Sequence, residues 1–267
     1  MNMKRILLCA ALAICCTLSS SAQEWADARL KKSSRHGEYV KIKQGTREIE
    51  AWVVYPEVST KATAVLLIHD IFGLAEWGKL VADEFAEAGY IAIMPDLLSG
   101  KGTNGGGTFA MASRAINAAI RDLPAAQVTA DLDAAAAYVT KLPAANGKLV
   151  IAGFCWGGTE SFRYATNNKE AKAALVFYGS GPTNAVDIAR INAPVYGFYG
   201  GNDARIGMTV PATTDLMKAA TKKYEPVTYE GAGHGFMKGG DDPAANAANK
   251  KAMEDSWKRV KEILKAI

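Results

Sequence analysis

The stretch Lys148-Leu149-Val150-Ile151-Ala152-Gly153-Phe154-Cys155-Trp156-Gly157-Gly158 indicates a buried strand that turns sharply into a helix. Residues 148–152 form an apolar run of the length expected for a parallel strand that is covered on both faces. Gly153 and Gly157 lie two residues before and after Cys155, where such a turn accepts only small side chains. The segment therefore predicts a nucleophile elbow with a thiol in place of the usual serine hydroxyl. The alternative is that Cys155 is a small buried hydrophobic residue.

Strands and helices alternate along the rest of the chain. An antiparallel hairpin around Gln44-Gly45, followed by repeated strand–helix units, predicts a single α/β domain with a mostly parallel twisted sheet and helices on both faces. The periodicity predicts strands at 38–43, 47–54, 64–69, 90–95, 173–178, 194–199 and 226–230, and helices at 76–88, 108–121, 124–141, 209–222 and along the C-terminal segment.

The N-terminus has the pattern of a secretory signal. Lys4 and Arg5 precede an apolar segment at 6–18, and Ser20-Ser21-Ala22 supplies small residues for cleavage after Ala22. The apolar segment is about thirteen residues long, which is too short for a comfortable membrane span. The sequence therefore predicts a signal peptide at 1–22, an N-terminal leader at 23–37 and one domain at 38–267, secreted to the periplasm and free of the membrane after cleavage.

Composition excludes several classes of protein. Three of the four cysteines lie within the predicted signal, so the mature chain would hold no intramolecular disulfide. The formal charge of +4 is scattered, and no basic stripe interleaved with aromatic residues indicates a nucleic-acid partner. The glycine-rich segment 99–108 lacks the spacing of a phosphate-binding loop, and we interpret it as a mobile loop over the mouth of a site.

Two further residues follow predicted strands at the edge where Cys155 is expected. Asp203 comes after the strand at 194–199, and His234 lies in a glycine-rich turn after the last strand. The carboxyl ends of parallel strands are where sites form in open α/β sheets, and the order Cys155, Asp203, His234 is the nucleophile–acid–histidine order of α/β-hydrolases. The alternatives are a surface loop histidine and an aspartate that only forms an Asx turn.

The α/β-hydrolase pattern also predicts an oxyanion hole made of two backbone N–H groups. One belongs to Trp156, the residue after the thiol, and the other to Ile71, in the loop after the strand at 64–69. Asp70 would then lie beside Cys155, where a carboxylate raises the pKa of a thiol unless it turns away or takes the proton itself.

Five motifs together resemble the dienelactone hydrolase (carboxymethylenebutenolidase) family of α/β-hydrolases. They are Asp70-Ile71-Phe72-Gly73, Met94-Pro95-Asp96-Leu97, the cysteine elbow, Gly200-Gly201-Asn202-Asp203 and Gly233-His234-Gly235-Phe236. The resemblance implies an α/β-hydrolase fold, with Cys155 as nucleophile, His234 as base and Asp203 as the group that orients it. It also implies hydrolysis of a lactone or ester without metal or organic cofactor. Our leading hypothesis is therefore a secreted hydrolase of small esters or lactones in which Cys155 forms a thioester with the acyl group.

The chain departs from this family at positions that affect the substrate. Asp70 stands where the family has a glutamate, Leu98 follows Pro-Asp-Leu where the family has an arginine, and Lys238 is a point charge rather than a guanidinium fork. We expect Phe72, Tyr178 and Lys238 to bind substrate. A non-hydrolytic binding protein and a redox thiol remain alternative functions, and the sequence leaves both a monomer and a homo-oligomer open.

Overall fold

Eight strands and ten α-helices run through residues 23–267, which the computed structural model describes. The strands are β1 (Gly37–Gln44), β2 (Arg47–Val54), β3 (Ala62–Ile68), β4 (Ile91–Pro95), β5 (Ala145–Phe154), β6 (Ala173–Phe177), β7 (Val195–Gly200) and β8 (Tyr224–Tyr229). The helices are α1 (Glu24–Leu30), α2 (Glu76–Glu87), α3 (Ser113–Arg121), α4 (Ala125–Thr140), α5 (Trp156–Ala165), α6 (Ala185–Ala189), α7 (Ala204–Gly207), α8 (Val210–Ala219), α9 (Phe236–Asp241) and α10 (Ala247–Lys265).

All eight strands form one sheet in the order β1-β2-β4-β3-β5-β6-β7-β8. β1 pairs antiparallel with β2, and β2 pairs antiparallel with β4, whereas β4, β3, β5, β6, β7 and β8 are parallel neighbours. Gly45 takes a positive φ of 58° in the turn between β1 and β2, which glycine adopts at low cost. The predicted α/β fold with an N-terminal antiparallel hairpin is confirmed.

The hydrophobic core lies on both faces of the sheet. Every residue of β3 is buried, and alternate residues of the strand belong to two separate clusters, Val65 with Leu67 and Leu66 with Ile68. Side chains of α2 and α10 cover the first cluster, and side chains of α4 cover the second. Because β3 and β5 are covered on both faces, their carboxyl ends are held rigidly where the loops of the site begin.

Part of the N-terminal leader predicted at 23–37 forms a helix that packs onto the domain. Residues 24–30 form helix α1, in which Ala26 is fully buried and Trp25 and Leu30 pack against the core cluster beneath α2. A helix of two turns is too short for its apolar period to stand out in the sequence. The predicted signal at 1–22 lies outside the described residues.

A smaller difference concerns the helix predicted at 108–121. Residues 108–110 form a 3₁₀ turn, and helix α3 begins only at Ser113.

Among the helices described between residues 23 and 267, none combines the length and the apolar character needed to span a bilayer.

Candidate active site

The turn between β5 and α5 holds Cys155 in a strained backbone conformation, with φ 58° and ψ −114°. A Cβ atom on Gly153 would collide with the carbonyl oxygen of Gly157, and one on Gly157 would collide with the carbonyl oxygens of Ile68 and His69. Both glycines are therefore required by close backbone approach, as the sequence predicts for a nucleophile elbow.

The structure brings the three predicted residues Cys155, His234 and Asp203 into one chain of contacts. His234 Nε2 lies 3.0 Å from Cys155 Sγ, and His234 Nδ1 lies 2.5 Å from Asp203 Oδ2. Asp203 is buried, and its other oxygen accepts a 3.4 Å hydrogen bond from the Ile206 amide at the start of α7. With Nδ1–H donating to the carboxylate, Nε2 is the atom free to accept the thiol proton.

The surroundings of Cys155 favour the neutral thiol in the free protein. Burial raises the pKa of the Cys155 thiol, the backbone amide of Trp156 opposes that rise, and the Asp70 carboxylate adds to it. The thiolate therefore requires the adjacent imidazole as proton acceptor, because no nearby cation alone lowers the thiol pKa enough.

Two backbone amides beside the thiol have no oxygen acceptor among the described residues and can bind an oxyanion. Trp156 is the first residue of α5, so its N–H has no partner within the helix. The Ile71 amide donates to no acceptor among the described residues, because Asp70 Oδ1 accepts from the next amide, that of Phe72, at 2.8 Å. Ile71 and Trp156 both line the same cavity as the thiol.

That cavity is open to solvent and has a volume of about 480 Å³. Its lining residues are Ile71, Arg121, Cys155, Trp156, Thr159, Tyr178, Arg205, Ile206 and His234. Tyr178 is buried beneath it, with its ring edge-on to His234 at 5.2 Å. Burial raises the pKa of the Tyr178 phenol well above its ordinary value, and the Asp70 carboxylate adds to the rise, so this side chain remains a hydrogen-bond donor.

Arg121 and Arg205 are cavity residues that the sequence analysis missed. Arg121 ends α3, and Arg205 follows Asp203 by two residues, with Nη2 3.5 Å from His234 Nδ1. Neither guanidinium is paired with a carboxylate in the part of the chain that the structure describes. Arg205 comes shortly after the strand that precedes Asp203, and this position could have marked it as a site residue. Nothing near Arg121 in the sequence marks that residue in the same way.

Asp70 lies in a second, narrow cavity behind the thiol. It shares that cavity with Lys238, and neither residue lines the cavity that holds Cys155. Burial raises the pKa of the Asp70 carboxyl, while the Phe72 amide and Lys238 oppose the rise; burial also lowers the pKa of Lys238. Of the three predicted substrate-binding residues, Tyr178 lies on the wall of the thiol cavity, whereas Lys238 and Phe72 pair with each other outside it, with Nζ 4.4 Å from the ring centroid.

His69 has a structural role. Its Nε2 accepts a 3.3 Å hydrogen bond from the Leu97 amide, and its Nδ1 lies 2.9 Å from the carbonyl oxygen of Asp70. Both ring nitrogens are therefore occupied, and His69 does not compete with His234 as a base. Between residues 23 and 267, no three histidine, cysteine, aspartate or glutamate side chains converge as the ligands of a metal would.

The segment 99–108 does not reach the thiol cavity. Thr108 is buried and bound to the Asp96 carboxylate through its amide at 2.6 Å and its hydroxyl at 2.7 Å. None of the residues 99–110 lines the cavity, which differs from the predicted loop over the mouth of a site.

Comparison with known proteins agrees with this geometry. The model of the dienelactone hydrolase family matches residues 49–267. The chain belongs to that family. A candidate carboxymethylenebutenolidase of Salmonella typhimurium is 34% identical over 226 residues, covering 80% of this chain and 82% of the relative. Another from Escherichia coli K12 is 34% identical over 211 residues, covering 75% of this chain and 76% of its own length.

A solved structure supports the same assignment. The crystal structure of a candidate dienelactone hydrolase from Klebsiella pneumoniae aligns with a TM-score of 0.76 and 26% identity, covering 88% of this chain and all of the other. The resemblance inferred from the five motifs is confirmed, and the protein is a dienelactone hydrolase-like hydrolase with the α/β-hydrolase fold.

Proposed function

We propose that the protein is a cysteine-dependent hydrolase of small esters or lactones that works through a thioester acyl-enzyme. The observation that carries this proposal is the continuous contact from Cys155 Sγ through the His234 ring to the Asp203 carboxylate, at 3.0 and 2.5 Å. Distances of this size between nucleophile, base and orienting group are those required for nucleophilic catalysis.

The reaction begins when His234 Nε2 takes the thiol proton and the Cys155 sulfur forms a bond to the substrate carbonyl carbon. The resulting oxyanion is placed beside the free amides of Ile71 and Trp156. As the C–O bond breaks, His234 returns its proton to the leaving alkoxide, and a thioester remains. Water then gives up a proton to His234, attacks the thioester and releases the acid, after which the proton returns to the thiol.

Cys155→Ala and His234→Ala test the proposed mechanism. We expect each change to abolish turnover of a small aryl ester, with His36→Ala as the matched control, because His36 is an exposed histidine that does not line the cavity of the thiol. Intact-mass spectrometry with an activated ester should show one acyl group added to the wild-type protein and none added to Cys155→Ala. An unmodified, inactive wild type would favour a non-hydrolytic binding protein, and an added oxygen would favour a redox thiol.

The two unpaired arginines favour substrates with a negative charge. Arg121 and Arg205 line the cavity with the thiol, and none of the carboxylates at residues 23–267 shares its wall. A guanidinium fork binds a carboxylate through two parallel hydrogen bonds, so the pair can hold an acid group of the substrate while its ester lies at Cys155.

Arg121→Gln and Arg205→Gln test this substrate class. Each is expected to raise KM for an ester that carries a carboxylate by roughly tenfold, since a charge-assisted hydrogen bond contributes about 1.5 to 3 kcal/mol. The KM of a neutral ester of the same size should stay the same. An equal loss with both esters would show that the arginines do not recognise charge.

We also propose that the protein is exported to the periplasm with removal of residues 1–22. The charged, apolar and small-residue segments of that stretch support the proposal. N-terminal sequencing of the protein from a periplasmic extract should begin at Gln23. Recovery of the full chain from the cytoplasm alone would overturn it.

A further inference from the structure

Residues 23–35, here called the N-terminal arm, lie outside the region that the family model matches, which starts at residue 49. The arm is nevertheless packed onto the domain. Ala26 of α1 is fully buried, Ser33 donates to Asp83 Oδ1 at 2.6 Å, and Arg35 binds both oxygens of the same carboxylate. The arm is thus an integral part of the folded domain in this protein.

Gln23 of the arm lines the cavity in which Asp70 lies. Gln23 Oε1 accepts a hydrogen bond from the Trp77 amide at 3.0 Å, near the start of α2. Gln23 and Trp77 line the narrow cavity together with Asp70 and Lys238. The Trp77 ring also lies edge-on to Phe154, the residue before the thiol, with 5.2 Å between ring centroids. A chain of contacts therefore runs from Gln23 of the arm through Trp77 to Phe154, the residue before Cys155.

Arg29 joins two helices that meet beside this cavity. Its Nη2 lies 2.6 Å from Glu84 Oε1 on α2, and its Nη1 lies 3.0 Å from Asp241 Oδ1 at the end of α9. The second oxygen of Asp241 accepts from Trp77 Nε1 at 2.9 Å. Helix α9 begins two residues after His234 and carries Lys238. Arg29 is therefore the cation between two buried carboxylates, one from each helix.

We propose that Arg29 is a positioning residue that holds α9 against α2 and so keeps Lys238 facing Asp70 behind the Cys155 thiol. Without the guanidinium, the hydrogen bonds that tie Glu84 to Asp241 are lost, and once Glu84 ionises, above about pH 8, the two carboxylates repel each other across the two helices. Movement of α9 then withdraws Lys238 from Asp70 and disturbs the turn that holds His234. The catalytic part of this inference rests on the proposed hydrolase function.

Arg29→Gln tests the inference, and Arg35→Gln is its matched control. Both changes remove an arginine of the arm that binds a carboxylate of α2, but only Arg29 also contacts α9. We expect Arg29→Gln to lower kcat between roughly tenfold and a hundredfold with little change in KM, since a misplacement of catalytic groups by about 1 Å can cost about a hundredfold. The pH profile of Cys155 alkylation by iodoacetamide should shift to higher pH, because Lys238 no longer balances the Asp70 charge. Arg35→Gln should leave both measurements unchanged.

Above about pH 8, where Glu84 ionises, the double variant Arg29→Gln/Glu84→Gln removes the repulsion as well as the cation. We expect it to restore the alkylation profile and most of the activity, and it remains available if Arg29→Gln alone fails to fold. Equal effects of the Arg29 and Arg35 changes, or a double variant as impaired as Arg29→Gln, would overturn the inference. A wild type that forms no acyl adduct would refute the proposed function, yet the alkylation profiles would still test the role of Arg29.

Discussion

Cys155 and Tyr178 both hold a left-handed backbone at the candidate site, with φ of 58° and 41°. Only two other non-glycine residues in the described chain, Asn104 and Thr221, have positive φ. Such a conformation costs on the order of 1 to 3 kcal/mol, and it persists where the surrounding structure enforces it. Here the adjoining residue Gly179 packs against the backbone of Gly158, so the chain after β6 is forced to turn and places the Tyr178 ring under His234.

The Asp70→Asn variant tests how the Asp70 carboxylate affects the Cys155 thiol. The carboxylate raises the pKa of the Cys155 thiol in addition to the effect of burial, so a neutral amide should lower that pKa. The asparagine oxygen can still accept from the Phe72 amide and keep the loop in place. Alkylation of Cys155 by iodoacetamide should therefore be faster at neutral pH, with its pH profile moved to lower pH.

Asp187→Asn changes a partly exposed aspartate that is ion-paired with Arg190, and it is the control for the loss of one negative charge. It should leave the alkylation profile where it is in the wild type. If Asp70→Asn and this control gave the same profile, the Asp70 carboxylate would have no electrostatic effect on the thiol.

The elements around the site position its residues by backbone contacts. The turn that carries His234 is fixed from α10, where Asn249 Oδ1 accepts from the Gly233 amide at 2.9 Å. On the other side, Thr159 of α5 donates its amide to the Cys155 carbonyl oxygen at 3.1 Å. The imidazole and the thiol are thus each held from a different helix.

Gly157→Ala tests the close approach of α5 to β3. A methyl group there would overlap the carbonyl oxygens that end β3, and those rigid backbone atoms have no free space to move into. We expect a loss of about 3 kcal/mol in the free energy of unfolding, at the upper end of the usual cost of overpacking. Urea denaturation measures this loss.

Gly207→Ala serves as the comparison. Its Cβ would meet no atom within 4 Å, and the residue lies in helix α7, so the change should alter stability by less than about 1 kcal/mol. Similar stabilities of the two variants would mean that α5 has room to move away from β3.

Much of the fold can be predicted from the sequence because the sequence patterns that mark the strands and the elbow are local. Apolar runs gave the strands, and the small residues at two fixed offsets from Cys155 gave the elbow. Asp203 and His234 could be predicted to lie near Cys155 because parallel strands bring their carboxyl ends together. Arg121 was missed because it enters the cavity from α3, whose position depends on packing. Helix α1 was missed because two turns are too short to show a clear period.

The buried pair Glu84 and Asp241 makes a prediction about the stability of the whole domain. Burial raises the pKa of Glu84 from 4.5 to about 8, Asp241 adds to the rise, and Arg29 opposes it. Glu84 Oε2 has no hydrogen-bond partner among the described atoms, which leaves its charge poorly compensated. A carboxyl whose pKa is higher in the folded than in the unfolded state favours folding below about pH 4.5, and this contribution is lost as the pH rises to about 8.

Glu84→Gln should therefore reduce the fall in unfolding free energy between about pH 5 and about pH 8, since each unit of pKa difference corresponds to about 1.4 kcal/mol. Some decline should persist, because burial also raises the pKa of Asp241. Urea denaturation at both pH values measures the difference, with the exposed Glu254→Gln as control. An unchanged decline in Glu84→Gln would mean that Glu84 stays ionised in the folded protein, with Arg29 fully compensating its charge.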